Sequence, residues 1–373
     1  MTASSKFPDR DRTPANASRP THGGNRNWAA QYANCKPEDI LDFSASINPL
    51  GPPQSVLTAI STHLDRLTAY PDPSYDRLRA ALSDFHNLPA DWILPGNGAA
   101  ELLTWIGREL ARLDTVYLVT PAFADYHRSL AAFNAKVVAQ PMDLKTPSPQ
   151  RAIEFPSSPP RKSCGLLLNN PHNPTGTLTP REVLLPYLEQ FALVVVDEAF
   201  MDFLPLDLQQ SLLDLILDFP NLVVLRSLTK FYSLPGLRLG YAIARPDYLR
   251  RWQQWRDPWP VNILAEVAAI AALQDRGFQQ QTWDWLSPTR TALMEGLQTL
   301  PGLTPRPSAA NFILVETEVP SSQLQRDLLK SQQVLIRDCL SFPELGDRYF
   351  RIAVRLPAEN ERLLTSLEQI LQK

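Results

Sequence analysis

Three polar residues interrupt an apolar part of the chain. Ser227 and Lys230 lie between the runs Leu222-Val223-Val224-Leu225 and Leu237 to Ala244, Arg238 stands at the start of the second run, and Pro235-Gly236 breaks the chain between the runs. Apolar runs of this length read as buried strands and the breakers as a turn, so these side chains are expected at strand ends. A lysine in such a place has two readings. It is a surface residue beyond a strand, or it is a pocket amine able to form a Schiff base with a carbonyl. In the second reading the flanking hydroxyl and guanidinium hold an anionic group. Lys230 by itself leaves both open.

Other residues bear on the choice. Asp197 follows the apolar run Ala192 to Val196, and a carboxylate there must be paired because burying it alone is expensive. Asn173 stands in Asn169-Asn170-Pro171-His172-Asn173-Pro174-Thr175-Gly176, directly after another apolar run. Gly96-Asn97-Gly98-Ala99 joins a short strand to a helix start, whose free N–H groups suit a phosphate. Phe123 opens a further helix, and His22-Gly23-Gly24-Asn25 places donors beside flexible backbone. Each has an ordinary reading as a turn, a cap or an ion pair. Together they supply what pyridoxal phosphate requires: a lysine for the aldehyde, a carboxylate for the pyridine nitrogen, a donor for the ring oxygen, an aromatic face and a phosphate nest.

The elements that must position them alternate. Strands are predicted at Trp92 to Leu94, Thr115 to Thr120, Lys136 to Gln140, Gly165 to Leu168, Ala192 to Val196 and Leu222 to Leu225. Helices are predicted over Ser55 to Leu67, Tyr75 to Phe85, Ala99 to Leu113, Pro180 to Gln190, Gln209 to Asp218, Asn262 to Asp275 and Gln279 to Leu300. On the first helix Val56, Leu57, Ile60, Leu64 and Leu67 form one apolar face. Continuous apolar strands separated by helices make an α/β fold with a mostly parallel sheet covered on both faces. Ligands gather at the carboxyl ends of such strands, where Gly96, Phe123, Asn173, Asp197 and Lys230 all fall. Strands at Asn311 to Val315, Val334 to Ile336 and Tyr349 to Val354, with helices at Ser321 to Ser331 and Glu359 to Leu371, suggest a smaller α+β domain. The expected organisation is a disordered tail (1–20), a segment near the site (21–49), a large domain (50–270) and a small C-terminal domain (271–373).

Composition excludes other classes. A chain of 373 residues with 44% hydrophobic and 20% charged residues suits a globular enzyme. A net charge of -3 offers no basic field for nucleic acid, and the short N-terminal tail has no recognition-helix pattern. Cys35, Cys164 and Cys339 show no metal-ligand spacing, so no metal is expected and a reducing, cytoplasmic setting fits. No apolar run reaches the ~20 residues of a membrane span, and no signal peptide is evident.

Ser227-Leu228-Thr229-Lys230 with Pro235 to Gly240, Asn173-Pro174-Thr175-Gly176 and Asp197-Glu198-Ala199 resembles the pyridoxal-phosphate-dependent fold-type I aminotransferase superfamily. His22 to Asn25, Leu41-Asp42-Phe43-Ser44-Ala45 and Ile47-Asn48-Pro49-Leu50-Gly51 resemble the threonine-phosphate decarboxylases of cobalamin biosynthesis, relatives of the histidinol-phosphate aminotransferases. The resemblance runs from His22 to the C-terminus. It implies that Lys230 is the Schiff-base lysine, that Asp197 pairs with the pyridinium and that Asn173 bonds the ring oxygen. It further implies that Phe123 stacks on the ring, and that Ser227, Arg238 and the backbone of Gly98 and Ala99 hold the phosphate. Tyr70 would reach that phosphate from a second subunit, which implies a homodimer. Arg351 would clamp the substrate carboxylate, and His22, Gly23, Asn25, Asn48 and Arg337 would surround the substrate. Two positions depart from the family pattern. Phe200 stands where many members have a tyrosine bonding the ring oxygen, although close relatives of the decarboxylase share Phe, and Ser46 stands in place of Asn.

Overall fold

The structure is a computed structural model that describes residues 19–144, 153 and 162–372. The chain begins with α1 (Arg26–Ala33), β1 (Leu41–Asp42), α2 (Gln54–Ser61) and α3 (Asp76–His86). It continues with β2 (Ile93–Asn97), α4 (Ala99–Leu110), β3 (Thr115–Thr120), α5 (Ala124–Ala131), β4 (Val137–Pro141) and β5 (Cys164–Asn169). Next come α6 (Arg181–Gln190), β6 (Leu193–Asp197), β7 (Leu222–Ser227), the single turn α7 (Leu228–Phe231) and β8 (Leu239–Ala244). The remainder holds α8 (Pro246–Trp255), α9 (Ile263–Gln274), α10 (Arg276–Gln298), β9 (Leu303–Pro305), β10 (Phe312–Thr317), α11 (Ser321–Gln332), β11 (Val334–Leu335), β12 (Tyr349–Ala353) and α12 (Pro357–Leu371).

Seven strands form the central sheet in the order β2-β8-β7-β6-β5-β3-β4. All run parallel except β8, which is antiparallel to both neighbours. The strands are apolar on both faces because helices cover both. Leu167, Leu193, Val195, Val223 and Leu225 pack with Leu102, Ile106, Leu130 and Trp252, the face of α4, α5 and α8. Leu166, Leu168, Val194, Val196 and Val224 join the opposite cluster with Leu184, Ala268 and Leu286, the face of α6, α9 and α10. Side chains alternate between faces along a strand, and this alternation decides what happens at the strand ends. Asp197 continues the α4/α5 side of β6 while Glu198 turns to the other side. Ser227 and Arg226 divide in the same way on β7, and Asn169 and Asn170 on β5.

Beyond this sheet, β10 pairs antiparallel with β12 and β9. The segment Val334–Leu335, expected in the same unit, instead pairs parallel with β1 and so ties the N-terminal segment to the C-terminal part of the chain. An isolated bridge joins Arg337 to Arg351.

Three expectations are revised. The helix predicted to reach Leu67 ends at Ser61 and is followed by a tight turn at Leu64–Thr68. Ser61 and Thr62 hydroxyls both donate to Thr58 O, at 2.9 and 2.8 Å, a local bond that competes with helix continuation. Leu64 and Leu67, beyond the helix end, are exposed, and so is Leu57 within the helix. The helix predicted over Gln209 to Asp218 is only one turn, Leu213–Leu215. Glu198 accepts from Leu212 N at 2.9 Å and from Ser211 Oγ at 2.7 Å, which fixes that backbone in an irregular path. The predicted tail lies outside the described residues except for Arg19 and Pro20. These are docked, with Arg19 paired to Asp338 and donating to Gln325 Oε1 at 2.8 Å.

Candidate active site

The strand ends and the N-terminal segment enclose a cavity of about 780 Å³, lined by Lys230, Asp197, Asn173, Phe123, Ser227 and Arg238 together with His22, Gly23, Arg337 and Arg351. With Ala99, eleven residues expected at a site therefore converge in space although they span most of the chain.

Asp197 and Lys230 set the electrostatics. Asp197 Oδ2 accepts from Tyr126 OH at 2.8 Å and Oδ1 from Ala199 N at 3.0 Å. Burial pushes this carboxyl up, while Lys230 and the two donors hold it down. Burial pushes the Lys230 amine down, Asp197 opposes that shift, and Arg238 and Arg351 add to it. Among the described residues Lys230 Nζ has no ion pair or hydrogen bond; the Phe200 ring lies 5.0 Å from it. A half-buried amine with lowered proton affinity and no competing hydrogen bond suits a nucleophilic lysine.

A second group of residues forms an anion niche. Gly98 caps the N-terminus of α4 with φ +74°, and a Cβ on it would stand 2.4 Å from Arg238 Nη2. A Cβ on Gly240 would stand 2.6 Å from Ala99 N. Both glycines let the arginine and the strand close on the first turn of the helix. Arg238 donates to Pro235 O at 3.2 Å and has no carboxylate partner among the described residues. Ser227 Oγ lies 2.7 Å from Thr229 Oγ1 beside it. Free helix N–H groups, a cation and hydroxyls together suit a phosphate.

The third group is cationic. Arg351 is buried, with its Nη1 donating to Asn173 Oδ1 and its ring-facing guanidinium 4.9 Å from the Phe312 centroid. Its Nε has no partner, and burial brings its pKa down to about 10. Arg337 is also buried, which lowers its proton affinity, and its guanidinium is held by Pro20 O, Thr21 O and Ser341 Oγ. The His22 ring lies 5.6 Å from that of Phe123, placing the N-terminal segment over the cavity.

Two expected site residues, Asn48 and Asn25, turn away from the cavity, and Tyr70, expected at a second subunit's site, lies outside this one. Asn48 does not line the cavity; it donates to Phe231 O at 2.8 Å and Thr282 Oγ1 at 2.9 Å and accepts from Leu50 N. Its own N–H donates to Lys230 O at 3.0 Å, so it braces the lysine turn. Asn25 spends its side chain on capping α1. Tyr70 is 78% exposed and stacks on Trp259 at 4.5 Å, outside the cavity. Ala99 lines it as expected. Tyr126 and Thr229 line it too, although the sequence reading singled out neither. Tyr126 sits one helical turn after Phe123, a spacing that could have flagged it.

Comparison with known proteins bears on the whole chain. Residues 38–367 match the aminotransferase class I and II family. The threonine-phosphate decarboxylase of Salmonella typhimurium is 40% identical over 357 residues, 94% of this chain and 96% of that protein. The solved L-threonine-O-3-phosphate decarboxylase of Porphyromonas gingivalis superposes with a TM-score of 0.78 at 25% identity, over 89% of this chain and 99% of its own. The histidinol-phosphate aminotransferase of Clostridium acetobutylicum gives a TM-score of 0.80 at 26% identity, with the same coverage of 89% and 99%. A sheet whose strand ends carry this lysine, carboxylate and anion niche, and a family match across most of the sequence, agree: the chain belongs to the aminotransferase class I and II family.

Proposed function

We propose that this chain is a pyridoxal-phosphate-dependent threonine-phosphate decarboxylase. It converts L-threonine O-3-phosphate to (R)-1-amino-2-propanol O-2-phosphate and carbon dioxide. The likeness to a decarboxylase of that name along nearly the full length of both chains carries the reading. The geometry supports it. The cavity of Lys230 and Asp197 also holds two buried guanidinium groups, Arg337 and Arg351, which suit a substrate bearing both a carboxylate and a phosphate. The decarboxylases that the sequence resembles serve cobalamin biosynthesis, and we assign the product to that use.

The residues fit pyridoxal phosphate. Lys230 Nζ is uncommitted, Asp197 faces the cavity with donors on both oxygens, and the glycine cradle at Gly98 and Gly240 stands ready beside Arg238. Lys230 would hold the aldehyde carbon, Asp197 the pyridine nitrogen, Asn173 the ring oxygen and Phe123 a ring face. Ser227, Arg238, Gly98 and Ala99 would hold the phosphate, with Tyr70 reaching it from a partner subunit. When bound, the cofactor supplies an electron sink for the pair left as the Cα–carboxylate bond breaks.

The remaining work belongs to the protein. Arg351 binds the substrate carboxylate, and Arg337, His22 and the backbone at Gly23 surround the phosphate. Holding both ends of the substrate selects which bond at Cα is broken, since orientation rather than the cofactor distinguishes decarboxylation from transamination. Lys230 Nζ, with its lowered proton affinity, exchanges the proton at Cα and releases product. A pocket built around a phosphate rejects analogues lacking it by about 10⁴.

A homodimer is part of this reading. Exposed Leu57, Leu64, Leu67, Tyr70 and Trp259 belong to adjoining elements, α2, the turn after it and the approach to α9, and such an apolar set marks an association surface. Three free cysteines suit a reducing compartment, and we place the enzyme in the cytoplasm. No helix among the described residues is long and apolar enough to cross a membrane.

The test is incubation of the loaded enzyme with threonine phosphate and no keto acid, followed by NMR. Aminopropanol phosphate and carbon dioxide are expected. Turnover only after 2-oxoglutarate is added would overturn the decarboxylase reading in favour of a histidinol-phosphate-type aminotransferase. That alternative is favoured by the likeness to the Clostridium enzyme. Serine phosphate, run in parallel, reports whether the pocket reads the substrate methyl group.

A further inference from the structure

Two neighbouring asparagines finish β5, and the pleat sends them to opposite faces of the sheet. Asn170 spends its carboxamide on the fold: Nδ2 donates to Thr179 O and Oδ1 accepts from Thr179 N, both at 2.9 Å. Asn169 lies on the other face and lines the cavity with Asp197, Asn173, Phe200 and Lys230. It is only 4% exposed, its Oδ1 is buried without a hydrogen-bond partner, and its Nδ2 donates no hydrogen bond among the described residues. The strand register pairs Asn169 with Asp197. Carboxamide and carboxylate therefore leave the sheet on one face, their strands ~4.8 Å apart.

Buried polar groups in folded proteins are nearly always paired, because water is lost without compensation otherwise. None of the groups around Asn169 forms a hydrogen bond with its side chain among the described residues. The oxygens of Asp197 accept from Tyr126 and Ala199. Asn173 Oδ1 accepts from Arg351. Phe200 presents a ring with no donor or acceptor. An amide left unpaired on the floor of a ligand cavity, next to a twin that is fully paired, is a group held for the ligand.

We infer that Asn169 is a further cofactor-binding residue, its carboxamide donating a hydrogen bond to the ring oxygen of pyridoxal phosphate. The inference rests on the cofactor reading above. With the pyridine nitrogen directed to Asp197, the acceptor left on the ring itself is its oxygen, and Asn169 supplies it with a second donor beside Asn173. A donor there favours the ionised oxygen, so it raises affinity and extends the deprotonated form of the bound cofactor to lower pH.

The experiment titrates wild-type, Asn169→Leu and Asn169→Ala apoproteins with pyridoxal 5'-phosphate, following the visible absorbance and its pH midpoint. Thermal melting of each apoprotein is recorded alongside. Asn169→Leu keeps roughly the same size and removes an unpaired polar group. Its apoprotein should melt no lower than wild type, while the cofactor dissociation constant rises about tenfold, the scale of one net hydrogen bond. The pH midpoint should move upward. Wild-type affinity and midpoint in both variants would overturn the inference and leave the cofactor reading intact. So would a loss of apoprotein stability in both variants with no change in the midpoint, which marks a structural residue. If Leu does not fold, Asn169→Ala decides by the same midpoint. Failure of the wild type to develop any visible band would sink the cofactor reading, and this inference with it.

Discussion

Lys230 is useful because its surroundings disagree about its proton. Burial and two arginines push the proton off, and Asp197 holds it on. Burial in turn raises the Asp197 carboxyl, and Lys230, Tyr126 and the Ala199 amide oppose that shift. Tyr126 is the part of this balance easiest to remove. Tyr126→Phe should raise the dissociation constant for pyridoxal phosphate by roughly tenfold or more, since hydrogen bonds to charged groups are worth about 1.5–3 kcal/mol. Absorbance titration measures it. Unchanged affinity would show that Asp197 needs no orienting donor. Lys230 and Asp197 were legible in the sequence because each is a charged residue at the end of an apolar run. Tyr126 was not, because a tyrosine on a helix face reads as core until its hydroxyl is seen to meet Asp197. Asn48 misled for the opposite reason: its motif marks a loop beside the site, but which way its carboxamide turns depends on Phe231 and Thr282, far away in the chain.

At the scale of elements, the period-two pleat sorts adjacent polar residues into two jobs. Asp197 and Ser227 face the cavity. Glu198 and Arg226 face the opposite side, where Arg226 pairs with Glu198 at 2.8 Å and with Asp202. This buried triad, joined by Ser211, anchors the loop after β6. The first turn of α4 is set by a different device, the close approach of Gly240 to Ala99 N. Gly240→Ala should push helix and strand apart and weaken phosphate binding selectively. The expected result is a loss of the preference for pyridoxal phosphate over pyridoxal, by about tenfold, read from paired titrations. Equal weakening for both ligands would place the damage elsewhere. Strands β3 to β7 and the long helices followed the sequence periodicity closely. The segment 209–218 did not, because its apolar spacing is helical while the Glu198 carboxylate holds its backbone in another path. We propose that residues 50–270 form the large domain and 271–373 the small one, with α10 joining the two. Residues Gln279, Thr282 and Trp283 of this helix bond to Tyr232, Asn48 and Asp202 on one side of that division, and its far end packs on β9 and α12.

At the scale of the whole molecule, two properties can be measured without turnover. The first is association. Leu67→Glu, placed at the exposed apolar surface, should convert a dimer into a monomer by light scattering and weaken cofactor binding through loss of the partner's Tyr70. A wild-type monomer would remove Tyr70 from the site. The second is acid sensitivity. His172 is buried, with Nδ1 2.9 Å from Thr175 Oγ1, and burial brings its pKa down to about 3. Unfolded histidine titrates near ~6.5, so the unfolded chain binds more protons below that pH. The stabilisation is therefore complete above about pH 6.5 and is lost as pH falls toward 3. Denaturant unfolding should show a loss on the order of 2 kcal/mol from this group between pH 7 and 5, reduced in His172→Asn. The same slope in both proteins would exclude His172 as its source.

The sequence by itself determined the α/β fold, the order of most elements and the lysine we propose for the cofactor, because apolar periodicity and strand-end polar residues are local signals. It also singled out Asp197, Asn173, Phe123 and Arg238, which the structure gathers with Lys230 around one cavity. Only the tertiary structure decided which of two adjacent polar residues faces the cavity. That choice depends on the pleat and on which helices cover each face. It separated Asn169 from Asn170 and gave Asn25 and Asn48 to the fold. It also closed the cavity with His22 and Arg337, which lie more than three hundred residues apart.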